Sequence, residues 1–306
     1  MEAILLPSIK RGERTSPSPE VTNKSNLYRV MPLLDFLHML RFNRNTLISP
    51  YCWEDPYEKL FTKCNIIFGG TYPKKNPVAW KEWYCQCWST LEESDGLWRS
   101  FSHNKEVRCV KLRTTVGKLK SSFETIKDKD VEIYMGNVFY SSLKEYEKNV
   151  DAAYPIYYNK IERLLNKRIN ATTALSLLMC KRDAFEYESE FRVFAHISGK
   201  KRYAKSWPYS FKVNDAIDEV IFDPWTKEHE QRTYTELIRD MGFKGSIDTS
   251  KLYKKIKNIK PTLKIELPFV LGLFPTEPDN KELQEELNKK TVDIHTMMGI
   301  DSEFRT

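Results

Sequence analysis

Apolar positions recur along this chain with two periods. In short runs every second residue is apolar, and in a few longer runs every third or fourth. The clearest short run is FEYESEFRVFAHI (185–197), where Phe191, Val193, Ala195 and Ile197 take one face of a predicted strand. Glu188, Glu190, Arg192, Phe194 and His196 take the other. Further strands are predicted over NLYRV (26–30), NTLISP (45–50), EWYCQCWST (82–90), EVRCVKLR (106–113), YSFKV (209–213) and EVIFDP (219–224). VEIYMGNVFYSS (131–142) reads as another, with Gly136 expected at a bulge.

Helical spacing appears in PLLDFLHMLRFN (32–43), where Leu33, Leu34, Leu37 and Leu40 share a stripe behind a proline suited to a first turn. WEDPYEKLFTK (53–63), ESDGLWRSFSH (93–103, a loop entering a short helix) and TTVGKLKSSFETI (114–126) read as helices. So do two pieces within 143–181, and the stretch from Lys227 to Met241. Strands and helices mix without a regular βαβ period. The expected fold class is therefore α+β, with a mixed, mostly antiparallel sheet and flanking helices. No repeat of fixed period occurs.

Composition divides the chain. Residues 1–25, with SPSPE, are polar and expected to be disordered. Residues 26–253 form the expected folded domain. Residues 254–306 change character and read as a C-terminal arm, a candidate partner-binding segment. That arm opens on the basic run KLYKKIKNIKPTLK (251–264) and continues through LPFVLGLFP to the acidic TEPDNKELQEEL (276–287). The basic run fits a solvated linker and fits phosphate attraction. No apolar run is long enough to span a bilayer, and the first residues lack the order of a secretory signal. The expected location is cytoplasmic. The six cysteines suit reduced thiols there, and the C-x-C of Cys85 and Cys87 lacks the second close pair of a zinc site.

Several chemistries lose their motif. The chain has no phosphate-binding G-x-x-x-x-G-K-[ST], no dinucleotide G-x-G-x-x-G, no H-E-x-x-H and no G-x-S-x-G. What remains is the pair of carboxylates at the mouth of the 185–197 strand. Two readings stand: a wet strand face carrying charges, or a site.

Four stretches in order resemble a bacterial family of unknown function common in mobile elements. They are LYRV (27–30) followed by TLISPYCWEDPYE (46–58), CWSTLEESDGLWRSFSHNKEVRCVKL (87–112), KRDAFEYESEFRVFA (181–195) and AIDEVIFDP (216–224). The family pattern has an L-Y-[RK] strand, an S-x-x-x-F-x-D-P-x-[DE] segment, a W-[SA]-H-Y-[AG] helix and a Y-x-x-E-x-E-[WF]-R strand. The last fits closely. The third departs, because LWRSFS puts Arg99 directly after Trp98. The resemblance spans about 27–253.

The order of these motifs is similar to that of ADP-ribosyltransferases. The resemblance implies an ADP-ribosyltransferase-like core and NAD as co-substrate. Glu190 would stabilise the oxocarbenium-like ribose, and Glu188 would orient or deprotonate the acceptor. Arg29 would hold the pyrophosphate, Trp98 or Tyr28 would cover the nicotinamide, and Ser89 with Thr90, or Ser100 with Ser102, would buttress the strand end. The acceptor would be nucleic acid or protein, in a toxin or anti-phage effector with an antitoxin or chaperone as partner, and no membrane or metal is involved. Two alternatives stay open: a non-catalytic nucleic-acid- or protein-binding module, and a hydrolase of NAD or nucleotides.

Overall fold

A computed structural model describes residues 4–5, 21–60, 80–103, 105–142, 175, 178–198 and 204–254. The chain divides into two units, Met1–Lys254 and Lys255–Thr306, and the described residues lie in the first. The two helical pieces expected within 143–181 lie largely outside them, as do most of the expected disordered segment and the arm beyond residue 254.

Along the chain run β1 (Ile4–Leu5), β2 (Asn26–Pro32), α1 (Leu33–Phe42), β3 (Arg44–Ile48), α2 (Pro56–Leu60), β4 (Trp83–Ser89) and α3 (Asp95–Phe101). There follow β5 (Cys109–Thr115), α4 (Val116–Phe123), β6 (Val131–Asn137), β7 (Phe139–Ser141), β8 (Cys180–Arg182) and β9 (Glu190–Ile197). Last come β10 (Ser206–Ser210), α5 (Val213–Ala216), β11 (Glu219–Phe222), α6 (Glu228–Asp240) and β12 (Ser246–Thr249). The fold is α+β. Its main sheet runs β1-β6-β9-β4-β2-β5-β11-β12, with β3 joining β4 and β10 joining β3. Most neighbours are antiparallel; β1 with β6 and β11 with β12 are parallel.

Helix and strand boundaries follow local chemistry. The Thr115 hydroxyl accepts from the Lys118 amide and starts α4. Asn43, in the left-handed region at φ 46, closes α1. Ser94 caps α3 in the same way as Thr115 caps α4.

Four expectations need correction. Gly136 makes no bulge: β6 pairs without interruption from Val131 opposite Ile197 to Asn137 opposite Phe191. The strand instead ends at Asn137, and Phe139–Ser141 pairs separately and in parallel with β8. The strand placed at 209–213 lies at Ser206–Ser210, and Val213 already begins α5. Order also reaches N-terminal of residue 26: Ile4–Leu5 pairs with Tyr134–Met135, and Thr22 and Ser25 close a turn. Finally, the 185–197 strand begins only at Glu190. Residues Asp183–Glu188 form a 3-10 helix, and Ser189, at φ 41, turns the chain between them.

Two apolar layers sandwich the central strands. Phe191, Val193, Ala195 and Ile197 pack with Tyr84 and Trp88 of β4 and with α1 and α4, as the alternation predicted. The opposite face is not wet. Phe194 packs there with Trp83, Cys85, Tyr134, Leu178 and Met179 under Trp53 and Tyr57. Both faces of β9 are therefore buried, and its charged residues are buried with them.

β4 shares one edge between two strands. Tyr28 of β2 pairs with Ser89, and Ile48 of β3 pairs with Cys85. β2 and β3 diverge between these points, and a buried polar network fills the wedge. The Gln86 amide donates to Asn45 Oδ1 at 2.8 Å, and Gln86 Oε1 accepts from the Trp88 indole at 2.9 Å. The Asn45 amide donates to the Tyr209 hydroxyl at 3.2 Å, and Arg29 reaches Asn45 Oδ1 at 3.5 Å.

Candidate active site

The divergence of β2 from β4 opens a cleft lined by Tyr28, Arg29, Ser89, Trp98, Glu188 and Glu190, with Lys111. These residues come from β2, β4, α3, β5 and the entrance to β9. One wall is the continuous segment from Leu91 to Phe101. The cavity is about 50 Å³, room for a few water molecules.

Glu190 sits at its inner end. It is 5% exposed, and Arg192, 1% exposed, grips it with two hydrogen bonds, Nε to Oε1 at 3.0 Å and a terminal nitrogen to Oε2 at 2.9 Å. Lys181 Nζ lies 3.3 Å from the same Oε2. Burial would push this carboxyl up, but the Arg192 and Lys181 charges outweigh it and hold it down at about 2. It is an anion at every ordinary pH. Arg192 also contacts Glu58 and the Leu178 carbonyl, and its guanidinium lies 4.5 Å from the Trp53 ring centre. Arg192 thus fastens the segment carrying Trp53 and α2 over this end of the sheet. A second clamp adds to it: Arg182 pairs with Asp55 at 3.1 Å and covers the Tyr57 ring.

Glu188 ends the 3-10 helix. Its Oε2 accepts from Lys181 at 2.5 Å. Here burial wins: it raises the carboxyl, Lys181 opposes it, and the neighbouring Glu190 charge adds to the rise. The two carboxylates are thus moved in opposite directions. Ser89 supports this corner through its hydroxyl, which donates to the Glu188 carbonyl at 2.7 Å and accepts from the Leu91 amide at 3.0 Å. The Thr90 amide donates to the Ser189 carbonyl at 3.0 Å. The Tyr140 hydroxyl accepts from the Glu190 amide at 2.8 Å.

On the opposite side Arg29 is half-buried, and among the described residues no carboxylate pairs with it. Burial lowers its pKa from the ordinary value. Tyr28 is buried, and Lys111 Nζ lies 5.7 Å from its ring centre and 5.5 Å from that of Trp98. Trp98 is 0% exposed and its indole donates to Glu93 Oε1 at 2.5 Å, so in this geometry neither of its faces is open to a ligand. Ser100 is exposed on α3 and does not line the cleft. Ser102 is buried but spends its hydroxyl oxygen on the Lys105 amide.

The structure therefore brings together Tyr28, Arg29, Ser89, Trp98, Glu188 and Glu190, and leaves Ser100 out. Sequence reading missed Lys181, Arg192 as a bidentate partner, Tyr140 and Lys111. A signal existed only for Arg192, as a same-face neighbour of Glu190. Among the described residues no group of His, Cys, Asp and Glu is arranged to hold a metal ion, and no helix is long and apolar enough to cross a membrane.

Comparison with known proteins adds a coarse placement. Residues 97–193 match the model of a family described as a protein of unknown function, DUF2971. No curated protein matches. Among solved structures, the chain is similar to Thermus sp. 2.9 DarT in complex with carba-NAD+, at 9% identity and a TM-score of 0.31, over 75% of this chain and 97% of that one. A likeness of that extent carries no argument about activity. The family match takes in α3 from Leu97 onward, the β5–β6 region and β9 as far as Val193, and so includes Trp98, Lys111, Lys181, Glu188, Glu190 and Arg192.

Proposed function

We propose that the cleft is the active site of an NAD-dependent ADP-ribosyltransferase. The observation that carries this reading is convergence. Arg29, Ser89 and the Glu188–Glu190 pair, far apart in the chain, line one cleft where the sheet divides.

The chemistry follows from the two carboxylates. ADP-ribose transfer breaks the bond from nicotinamide to ribose and passes through an oxocarbenium-like state. Glu190, held as an anion by Arg192 and Lys181, supplies the negative charge that such a cation needs. Glu188, raised by burial, is the better proton acceptor and takes the proton of the attacking group. Carboxyls driven apart in this way sort into an electrostatic role and a base role. Arg29 has no carboxylate to neutralise it among the described residues, and its guanidinium suits the pyrophosphate. A dinucleotide is far larger than the present cavity, so its binding requires the Leu91–Phe101 wall to swing outward. The acceptor is nucleic acid or protein, and an effector of this kind, toxin or anti-phage, works with an antitoxin or chaperone that restrains it.

The test is transfer of label from adenylate-labelled NAD to a mixed lysate, with RNA, DNA and protein separated afterwards. Wild type should label one fraction and Glu190→Gln none. Equal labelling by both would end the assignment of Glu190. Label released as free ADP-ribose, with none on any macromolecule, would make the protein an NAD hydrolase.

One observation favours a different reading. Glu190 is already enclosed by Arg192 and Lys181, and the cavity is small. A non-catalytic module that binds nucleic acid or protein fits that geometry. It predicts salt-sensitive binding that Glu190→Gln leaves unchanged.

A further inference from the structure

Lys181 touches both carboxylates of the cleft, and the function proposed above uses it only as a charge beside Glu190. It stands on β8, which pairs in parallel with β7 so that Lys181 lies opposite Tyr140. That small second sheet carries both residues over the entrance to β9. The Lys181 side chain is 10% exposed. Its ammonium lies 2.5 Å from Glu188 Oε2 and 3.3 Å from Glu190 Oε2, and 4.8 Å from the ring centre of Phe185.

The two cations are not equivalent. Arg192 already holds Glu190 by two hydrogen bonds and reaches on to Glu58. Glu190 therefore keeps a cation without Lys181. Glu188 has none: among the described residues its one ion pair is with Lys181, and that contact is the shorter of the two. Two carboxylates side by side in a buried corner repel, and with no cation between them one takes up a proton. Lys181 is the group that lets both stay ionised within reach of one ammonium.

We propose that Lys181 is a positioning residue: it holds the Glu188 carboxylate, ionised, beside that of Glu190, so that the acceptor base and the ribose-side anion face the same substrate. The roles of base and anion rest on the transferase reading; the holding of Glu188 does not. The charged and titratable groups facing Glu188 are Lys181 and Glu190, with Glu58 from α2 and Tyr140 from β7, while Arg192 and Cys87 of β4 stand behind Glu190. Of these, only Lys181 and Arg192 are cations, and Arg192 is committed to Glu190 and Glu58.

The experiment replaces Lys181 by Met, of similar length and no charge, and by Arg. Glutamate δ-carboxyl carbons are followed by NMR against pH in the full-length protein, with Glu188→Gln and Glu190→Gln giving the assignments. In Lys181→Met the Glu188 titration should move up by about one pH unit or more. In Lys181→Arg it should stay near the wild-type position. If the Met variant does not fold, Lys181→Gln gives the same comparison. A Glu188 titration that stays put in a folded, uncharged variant overturns the proposal. This readout needs no activity, so it decides the role of Lys181 even if the wild type transfers no label. Where wild type does transfer label, the acid limb of its pH profile should move up with Glu188 in Lys181→Met and return in Lys181→Arg. An unmoved acid limb would likewise overturn the proposal.

Discussion

Glu188 and Glu190 meet on one ammonium although they do not share a strand. Glu188 closes a 3-10 helix, Ser189 turns the backbone at φ 41, and Glu190 opens β9. Lys181 then collects both carboxylates. Strand alternation predicted their proximity for the wrong reason. In a continuous strand they would have stood side by side on a pleat; here a left-handed residue folds one toward the other.

Acid should weaken the fold through Glu190. Its carboxyl is held at about 2, below an ordinary 4.5. A carboxylate lowered in the folded state gives stability that is complete above its unfolded pKa and is lost as pH falls toward the folded one. The window runs from roughly pH 4.5 down to about 2, with about 3 kcal/mol at stake. Glu188 is moved the other way, so its protonation adds stability as pH falls toward 4.5, before the Glu190 window begins. Urea unfolding across this range should show a steep fall in wild type and a shallower one in Glu190→Gln. Identical acid limbs would remove Glu190 from the account.

Arg192→Leu should cost about 3–5 kcal/mol, because it leaves the buried Glu58 without its ion-pair partner and Glu190 with Lys181 alone. Adding Glu58→Gln and Glu190→Gln to that variant should recover much of the loss, since the stranded charges are then gone. Denaturant unfolding of the series measures the coupling. Losses that simply add would show that these three residues do not act together.

The network in the wedge between β2 and β3 should behave as one unit. Asn45→Ala and Gln86→Ala should each cost about 1–3 kcal/mol by leaving buried partners unsatisfied. The double variant should cost less than the sum, as expected for residues sharing hydrogen bonds. Thermal or urea unfolding of the cycle decides it.

Two serines of α3 should differ. Ser94 caps the helix by accepting from the Leu97 amide at 3.3 Å, so Ser94→Ala should lose about 1 kcal/mol. Ser100 is exposed, and Ser100→Ala should change stability by no more than about 0.5 kcal/mol. If a label-transfer assay succeeds, Ser100→Ala should also leave its rate unchanged.

The order of the elements was legible because alternation and helical stripes survive whatever later covers them. Phe191, Val193, Ala195 and Ile197 reached the core that way. What covers the other face was not legible. Trp53 and Glu58 come from far back in the chain and Leu178 from just before β8, and no local period announces them. Ser189 was missed because a serine carries no mark of a left-handed backbone, which glycine or asparagine would have suggested. Lys181 was hidden in a basic dipeptide that looks like solvated surface. Ser100 was misplaced by counting. Two steps along a helix turn a side chain about 200°, so a buried Trp98 leaves Ser100 facing outward.

The shared edge of β4 gives the molecule a seam. Strands β2, β5, β11 and β12 form one plate, and β4, β9, β6 and β1 the other. Among the described residues, backbone pairing stitches them at a single point, Tyr28 with Ser89. Those two residues also line the cleft. A molecule wedged into the cleft therefore meets the sheet where a single residue pair joins its two halves.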